Sequence, residues 1–274
     1  MSESDRIDYR GKRALVVGGA TGMGAAVAEM VRDLGAEVVV MDRSEITLAG
    51  VKAISLDLAE KASIDAAIAT GGRVDALFSC AGVADGTPGI ERINFIGHRH
   101  LIDRLIERDQ LGRGSAIGFI SSAAGLGWEA NLPRIKEYLA TPDFDAAVAW
   151  IEQNGGADYL STKQAVCAYV ATQALPMMKR GIRINAICPG PTDTPLAQAN
   201  KETWLGFGAD YRAEAGVEAS TPMEQAYPLV FLCSQAAQAI SGITMVTDSG
   251  YFASGVTETF PDATPIANFL LGRF

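Results

Sequence analysis

Residues 13–42 read RALVVGGATGMGAAVAEMVRDLGAEVVVMD. A short β-branched and apolar run, Arg13 to Val17, passes at once into Gly18-Gly19-Ala20-Thr21-Gly22-Met23-Gly24. Val27, Met30, Val31 and Leu34 then fall on one side of a helix that Gly35 stops, and Glu37 to Met41 forms a second buried strand closed by Asp42. Strand, glycine turn, helix and strand within about thirty residues make the unit that cradles a dinucleotide. Glycines let backbone N–H groups approach phosphate, and the helix N-terminus favours its charge. A glycine trio alone marks many tight turns; here the strand before it, the helix after it and the acid closing the second strand point to a nucleotide site. Asp42 falls where a carboxylate accepts both ribose hydroxyls and repels a 2′-phosphate, which favours NAD over NADP. The adjacent Arg43 pulls the other way, since a guanidinium pairs well with that phosphate.

The alternation continues along the chain. Residues 51–56 read as a strand ending in Asp57, 61–69 as a helix, 74–80 as a strand ending in Ala81-Gly82, and 90–107 as a helix with Asn94 in its first turns. Further strands are expected at 115–122, at 182–187 running into Cys188-Pro189-Gly190, and at 243–247. Strands alternating with helices imply an α/β fold: a doubly wound, seven-stranded parallel sheet in a single Rossmann domain over residues 1–274. Ligands bind beyond the carboxyl ends of such strands. Gly22, Asp42, Ala81, Ser122 and Pro189 all fall there.

Tyr159-Leu160-Ser161-Thr162-Lys163 opens an apolar run with the look of a long buried helix. Residues four apart share a helix face, so the Tyr159 phenol and the Lys163 ammonium are expected to point the same way. A phenol has a pKa near 10 and is almost wholly protonated at pH 7. A fixed cation one turn away favours the phenolate, giving a group able to exchange a proton with an alcohol or ketone. Most Tyr-x-x-x-Lys matches are ordinary helix surface, so the pair draws its weight from the rest of the chain.

Composition narrows the classes. With 48% hydrophobic and 20% charged residues and 29 glycines, the chain is globular and able to bury a sizeable core. A net charge of -9 argues against nucleic acid or an anionic membrane as partner. The four cysteines, Cys80, Cys167, Cys188 and Cys233, are scattered and read as reduced thiols of a cytoplasmic protein. No apolar run reaches the roughly 18 residues of a membrane helix, and residues 1–12 are too polar for a secretory signal. The only histidines, His98 and His100, have no carboxylate cluster beside them, so no protein-bound metal is expected.

Over nearly its whole length the chain resembles a short-chain dehydrogenase/reductase. Residues 18–24 resemble that family's cofactor loop, with Val17 where threonine is usual. Asp57-Leu58 resembles the adenine-contacting pair, and Ser79-Cys80-Ala81-Gly82 resembles N-N-A-G with both asparagines replaced, which removes hydrogen bonds that brace the sheet. Asn94, Ser122, Tyr159 and Lys163 match the catalytic tetrad, while residues 185–190 with Thr192 and Thr194 resemble the segment beneath the nicotinamide. The resemblance implies a cofactor site of Gly18, Ala20, Thr21, Gly22, Met23, Gly24, Asp42, Arg43, Asp57, Leu58, Cys80, Ala81, Gly82, Tyr159, Lys163, Pro189, Gly190, Thr192 and Thr194. It further implies Tyr159 as acid/base, Lys163 lowering its pKa and holding ribose, Ser122 orienting the substrate oxygen, and Asn94 supporting a water that links Lys163 to solvent. Ser121 competes with Ser122; a strand alternates faces, so one of them points into the site, and the family pattern favours the second.

Between Ser122 and Tyr159 lie 36 residues, more than the family usually carries. The additional segment, about 128–156, holds 132–139 and a second helical pattern in Phe144, Ala147, Val148 and Ile151 that Asp143 could cap. It reads as a small helical insertion beside the active-site mouth, of the kind found in the branch resembling bacterial 3α-hydroxysteroid dehydrogenase/carbonyl reductase. It serves the pocket or a subunit contact, and it leaves the assembly open between homodimer and homotetramer. Residues 195–217, with Leu196, Trp204, Leu205, Phe207 and Tyr211, read as a flap. Together with Trp128 they form a pocket for a hydrophobic ring-containing alcohol or ketone, or pack on the core instead. Residues 251–274 are apolar for a tail and either cover the site or reach a neighbouring subunit. Three readings follow: an NAD-dependent dehydrogenase of hydrophobic secondary alcohols, an aryl or allylic primary alcohol dehydrogenase of the coniferyl type, and a non-catalytic nucleotide-binding protein on the same fold.

Overall fold

A computed structural model of the chain describes residues 7–70 and 72–272. The first six residues of the polar N-terminal stretch and the last two of the apolar tail lie outside the described residues. The opening stretch folds as its pattern predicts. β1 (Arg13–Val17) enters the glycine turn, α1 (Gly22–Asp33) follows, and β2 (Glu37–Asp42) lies parallel to β1 with Val17 opposite Met41. β3 (Lys52–Ser55), α2 (Lys61–Ala69) and β4 (Val74–Ser79) come next. The remaining strands are β5 (Leu111–Ile120), β6 (Arg183–Pro189) and β7 (Thr244–Thr247). All seven form one parallel sheet in the order β3-β2-β1-β4-β5-β6-β7. The order reverses between β1 and β4, and there the N–H groups of Cys80 and Ala81 both donate to the Val17 carbonyl, at 2.8 and 2.9 Å.

Helices cover both faces, which is why the central strands read as continuous apolar runs. On one face Leu15, Val17, Leu77 and Phe119 pack with α2, α3 (Gly97–Glu107) and α6 (Tyr159–Lys179). On the other Val16, Val40, Phe78 and Ile120 pack with α1 and α10 (Pro222–Cys233). α10 opens on a capping box, in which the Thr221 hydroxyl accepts from Glu224 N–H and the Glu224 carboxylate accepts from Thr221 N–H. No described helix is long and apolar enough to cross a membrane.

Three details depart from the sequence reading. β5 starts at Leu111 rather than 115, because Gly112 and Gly114 hide the strand pattern and its register with β4 shifts between Val74 and Ala76. It also stops at Ile120, so Ser121 and Ser122 extend past the sheet. The helix expected over 90–107 begins with a π-helical turn, Arg92–Ile96, that carries Asn94. Such turns recur at functional sites.

The insertion forms α4 (Leu132–Leu139) and α5 (Phe144–Asn154), with the Asp143 carboxylate accepting from Ala146 N–H at 2.9 Å. Its position corrects the expectation. The two helices do not line the active-site mouth; they pack over the outer side of α3 and α6. Tyr138 lies 5.5 Å from Phe95 between ring centroids, Phe144 lies 5.7 Å from His100, and Ile151 is buried. Each such side chain contributes about 1.5–3 kcal/mol on burial, whereas the exposed Lys61–Asp145 pair at 3.0 Å is screened by water and adds little. Apolar packing therefore holds the insertion.

Candidate active site

Two adjoining cavities run along the carboxyl edge of the sheet. The first, of about 450 Å³, is lined by Gly18, Thr21, Gly22, Met23 and Gly24 of the glycine loop, by Asp42 and Arg43, by Asp57 and Leu58, and by Cys80, Ala81, Gly82 and Thr194. Gly18 has φ +83°, and a Cβ there would stand 2.4 Å from the Ala81 backbone, so the loop lies directly on the end of β4. α1 begins without a side-chain cap from Thr21 and without an acid in its first turn, whereas Asp143, Asp158 and Thr221 cap α5, α6 and α10. Its first amides are left to an anion, with the helix dipole favouring one. Ala20, outside the lining, donates its N–H to Asp42 Oδ2 at 2.9 Å, and Ser44 N–H donates to Asp42 Oδ1 at 2.8 Å. A carboxylate accepts about four bonds, so Asp42 is held rigid with capacity to spare. Arg43 is exposed at the rim. Asp57 Oδ1 accepts from Ala59 N–H at 2.9 Å. Backbone amides, a positioned carboxylate and a glycine-lined cleft fit a nicotinamide dinucleotide.

The second cavity, of about 350 Å³, is lined by Ser122, Tyr159, Lys163, Pro189, Gly190 and Thr192, and shares Met23, Cys80, Gly82, Thr194 and Leu196 with the first. Tyr159 opens α6, where Asp158 caps the helix through Ser161 N–H at 2.7 Å and Asp85 Oδ1 accepts the Tyr159 N–H at 2.5 Å. Lys163 lies one turn on, with Nζ 5.5 Å from the Tyr159 ring centroid, and donates to the Ile120 carbonyl at 3.1 Å. Burial pulls the Lys163 ammonium down to about 8. Burial pushes the Tyr159 phenol up to about 12, against a hydrogen bond with Ser122 that lowers it. The expectation of a depressed phenol is thus corrected for the chain by itself: burial sets the direction, and the hydrogen bond from Ser122 offsets only part of it.

Ser121 and Ser122 divide as strand alternation requires. The Ser121 hydroxyl donates to the Lys163 carbonyl at 3.0 Å and lies 3.2 Å from Cys167 Sγ. The Ser122 hydroxyl accepts from Ala124 N–H at 3.2 Å and faces Tyr159. Asn94 is buried behind them; its Oδ1 accepts from Val83 N–H at 2.8 Å, and its Nδ2 donates to the Val83 carbonyl at 3.1 Å and to Thr162 Oγ1 at 3.2 Å. A Cβ on Gly82 would stand 3.4 Å from both Asn94 Oδ1 and Lys163 Nζ, so these two groups flank the glycine.

His98 went unassigned in the sequence. It lies buried one turn beyond Asn94, with Nε2 3.1 Å from the Ala81 carbonyl. Burial lowers it to about 4, so it is neutral and donates, bracing the strand end where the family's asparagines are missing. Four-residue spacing from Asn94 was the available signal.

The flap is built from α7 (Pro195–Ala199), which Thr194 caps through Ala197 N–H, α8 (Lys201–Trp204) and α9 (Ala209–Ala215). The Trp204 ring lies 5.0 Å from Tyr159 between centroids, and Leu196 and Phe207 also line the cavity. Tyr211 and Trp128 do not. Tyr211 OH donates to the Ser249 carbonyl, and Trp128 packs on the cluster of Leu126, Cys167 and Cys188. α11 (Tyr251–Val256) leads to α12 (Thr264–Leu270), whose Ile266, Phe269 and Leu270 close the cavity. Among the described residues Lys163 is the one charged side chain in the lining.

Family models agree with this architecture. Residues 12–133 match the short chain dehydrogenase model, and 139–252 match a model described as enoyl-(acyl carrier protein) reductase. The chain is 32% identical to coniferyl-alcohol dehydrogenase of Pseudomonas sp. over 87% of this chain and 96% of that one. It is 29% identical to cis-4-hydroxycyclohexanecarboxylate dehydrogenase of Sinomonas cyclohexanicum, over 88% and 96%. Among solved structures, the 3-alpha-hydroxysteroid dehydrogenase of Pseudomonas sp. B-0831 complexed with NADH superimposes with a TM-score of 0.72, 27% identity, and coverage of 91% and 99%.

Proposed function

The chain belongs to the short-chain dehydrogenase/reductase family, whose chemistry is oxidation and reduction at CH–OH groups, and on that footing we propose an NAD-dependent dehydrogenase of uncharged, ring-bearing hydrophobic secondary alcohols. One observation carries the reading: Tyr159, Ser122 and Lys163 line an apolar pocket that shares Met23, Cys80, Gly82, Thr194 and Leu196 with the glycine-lined cleft. The cofactor supplies or removes hydride; the protein's share is binding, orientation and the proton. Tyr159 gives its proton to the oxygen of a ketone, or takes one from an alcohol. Ser122 hydrogen-bonds the same oxygen. Lys163, protonated below about 8, holds the ribose and favours the phenolate. Asn94 fixes the Val83 loop and supports the proton path behind Lys163. A phenol raised by burial is protonated at neutral pH and little of it is phenolate, so alcohol oxidation, which needs the phenolate, should accelerate with rising pH more than ketone reduction does.

Asp42 supports NAD over NADP: its carboxylate is fixed by two amides, and a 2′-phosphate there meets like charge. An aryl or allylic primary alcohol of the coniferyl type is the second reading, favoured by the 32% identity to that dehydrogenase. The site set comprises Asn94, Ser122, Tyr159 and Lys163 with the cofactor residues of the cleft, in a single domain over 1–274. Four free cysteines support the cytoplasm. A homodimer or homotetramer draws support from Leu175 and Ile243, which are 66% and 37% exposed. The test is NADH formation with sterols, cyclic terpenols, aryl alcohols and short aliphatic alcohols, each with NAD and NADP. Turnover of bulky secondary alcohols with NAD upholds the proposal; turnover of aryl primary alcohols alone selects the second reading. Cofactor binding with no turnover moves the protein to a nucleotide-sensing role.

A further inference from the structure

We infer that α12 is the size-selecting wall of the alcohol pocket, and that the insertion acts on substrate choice by holding that helix in place. The inference rests on the proposed site. Residues three and four apart share a helix face, and Ile266, Phe269 and Leu270 are the α12 residues that line the cavity, together with the flap's Leu196, Trp204 and Phe207. α12 is pinned at both ends. At its start Ala263 is fully buried, a Cβ on Gly255 would lie 2.7 Å from the Ala263 carbonyl, and Thr264 Oγ1 donates to the Gly255 carbonyl at 3.1 Å.

At its end the partner is the segment that begins at Ser122. Gly127 has φ +71°, and a Cβ there would land 1.2 Å from the Leu270 carbonyl oxygen, so the two backbones touch with no room for a side chain. Gly272 lies against Ala130, where a Cβ would stand 3.0 Å from that residue's own. Trp128 and Leu270 pack on the same buried cluster of Leu126, Cys167 and Cys188. The residues that start the insertion therefore set how deep Leu270 reaches, although none of them touches the pocket. Trp128 and Gly127 are positioning residues; Ile266, Phe269 and Leu270 discriminate.

The test compares cyclohexanol, 2-decalol and androsterone as one-, two- and four-ring secondary alcohols, alongside binding of the matching ketones to the NADH complex by tryptophan quenching. Ile266→Ala and Leu270→Ala should raise kcat/KM for the larger rings relative to cyclohexanol by about tenfold, the scale of one or two methylenes in a hydrophobic pocket. NADH affinity should stay within about twofold, since α12 lies outside the dinucleotide cleft. Gly127→Ala, which pushes the Leu270 carbonyl outward, should shift the ratio in the same direction, and Trp128→Ala should do so without altering any lining atom. An unchanged size order in all four variants, in turnover and in ketone binding, overturns the inference. Failure of the site itself shows separately, as a Tyr159→Phe enzyme that still turns over.

Discussion

The dinucleotide cleft and the alcohol pocket share one sheet edge but are built on opposite terms. The cleft is made of strand ends and a glycine turn whose positions follow from backbone geometry: Gly18 against Ala81, Asp42 tied to Ala20 and Ser44, and uncapped amides at the start of α1. The pocket is made of side chains from short helices far apart in sequence, Trp204 from α8, Phe207 beyond it and Leu270 from α12. A cleft of backbone amides is rigid and tolerant of sequence, while a wall of apolar side chains is easily re-cut. The difference explains how one frame serves many alcohols.

The sharpest way to break this division is at the seam. Tyr159→Phe should lower turnover by about 10²–10⁴-fold while NADH still binds with native affinity by fluorescence titration. A variant that loses both would mean that cleft and pocket are not separable. Next, Asp42→Ala should cut the preference for NAD over NADP by about 10–100-fold, the scale of a charge-assisted hydrogen bond near 2 kcal/mol. Equal preference before and after would remove Asp42 from ribose recognition. On the pocket side Trp204→Ala should raise KM for ring-bearing alcohols by about tenfold, from a lost aromatic contact, and leave NADH affinity unchanged. A change confined to NADH would reverse the assignment of the flap.

The smallest effect concerns stability. Lys163 titrates at about 8 in the fold against an ordinary 10.5. Between those values the unfolded chain holds a proton that the folded chain has released, so this residue makes stability rise with pH across that window and contributes no slope below it. Tyr159 acts oppositely above pH 10, because its phenol stays protonated up to about 12 in the fold. Urea midpoints of the wild type should therefore climb from pH 8 to 10 relative to Lys163→Met. Parallel curves would show that Lys163 is not desolvated as the structure has it.

The sheet was legible because its central strands are local apolar runs; even so, β5 escaped by four residues where Gly112 and Gly114 erased the pattern. Strand alternation required that only one of Ser121 and Ser122 face the site, the family pattern picked Ser122, and the two hydroxyls do take different partners. Trp128 could not be placed. An aromatic beside an active-site serine lines the pocket or packs behind it according to the path of the following helices, and this one packs behind. His98 was hidden for a related reason: its partner, the Ala81 carbonyl, is seventeen residues away and carries no side-chain signature.

By itself the sequence determined what rests on spacing: the parallel sheet, the glycine loop, the acid at the end of β2, and the one-turn separation of Tyr159 and Lys163. Tertiary structure decided what rests on burial and on contacts between distant segments. It raised the Tyr159 phenol above its ordinary value rather than lowering it, because desolvation is a property of the packed site and not of the helix. It laid the insertion over α3 and α6, and it brought Leu270 onto Gly127 across more than half the chain. Periodicity is written residue by residue, whereas packing is a sum over neighbours that no single stretch of chain contains.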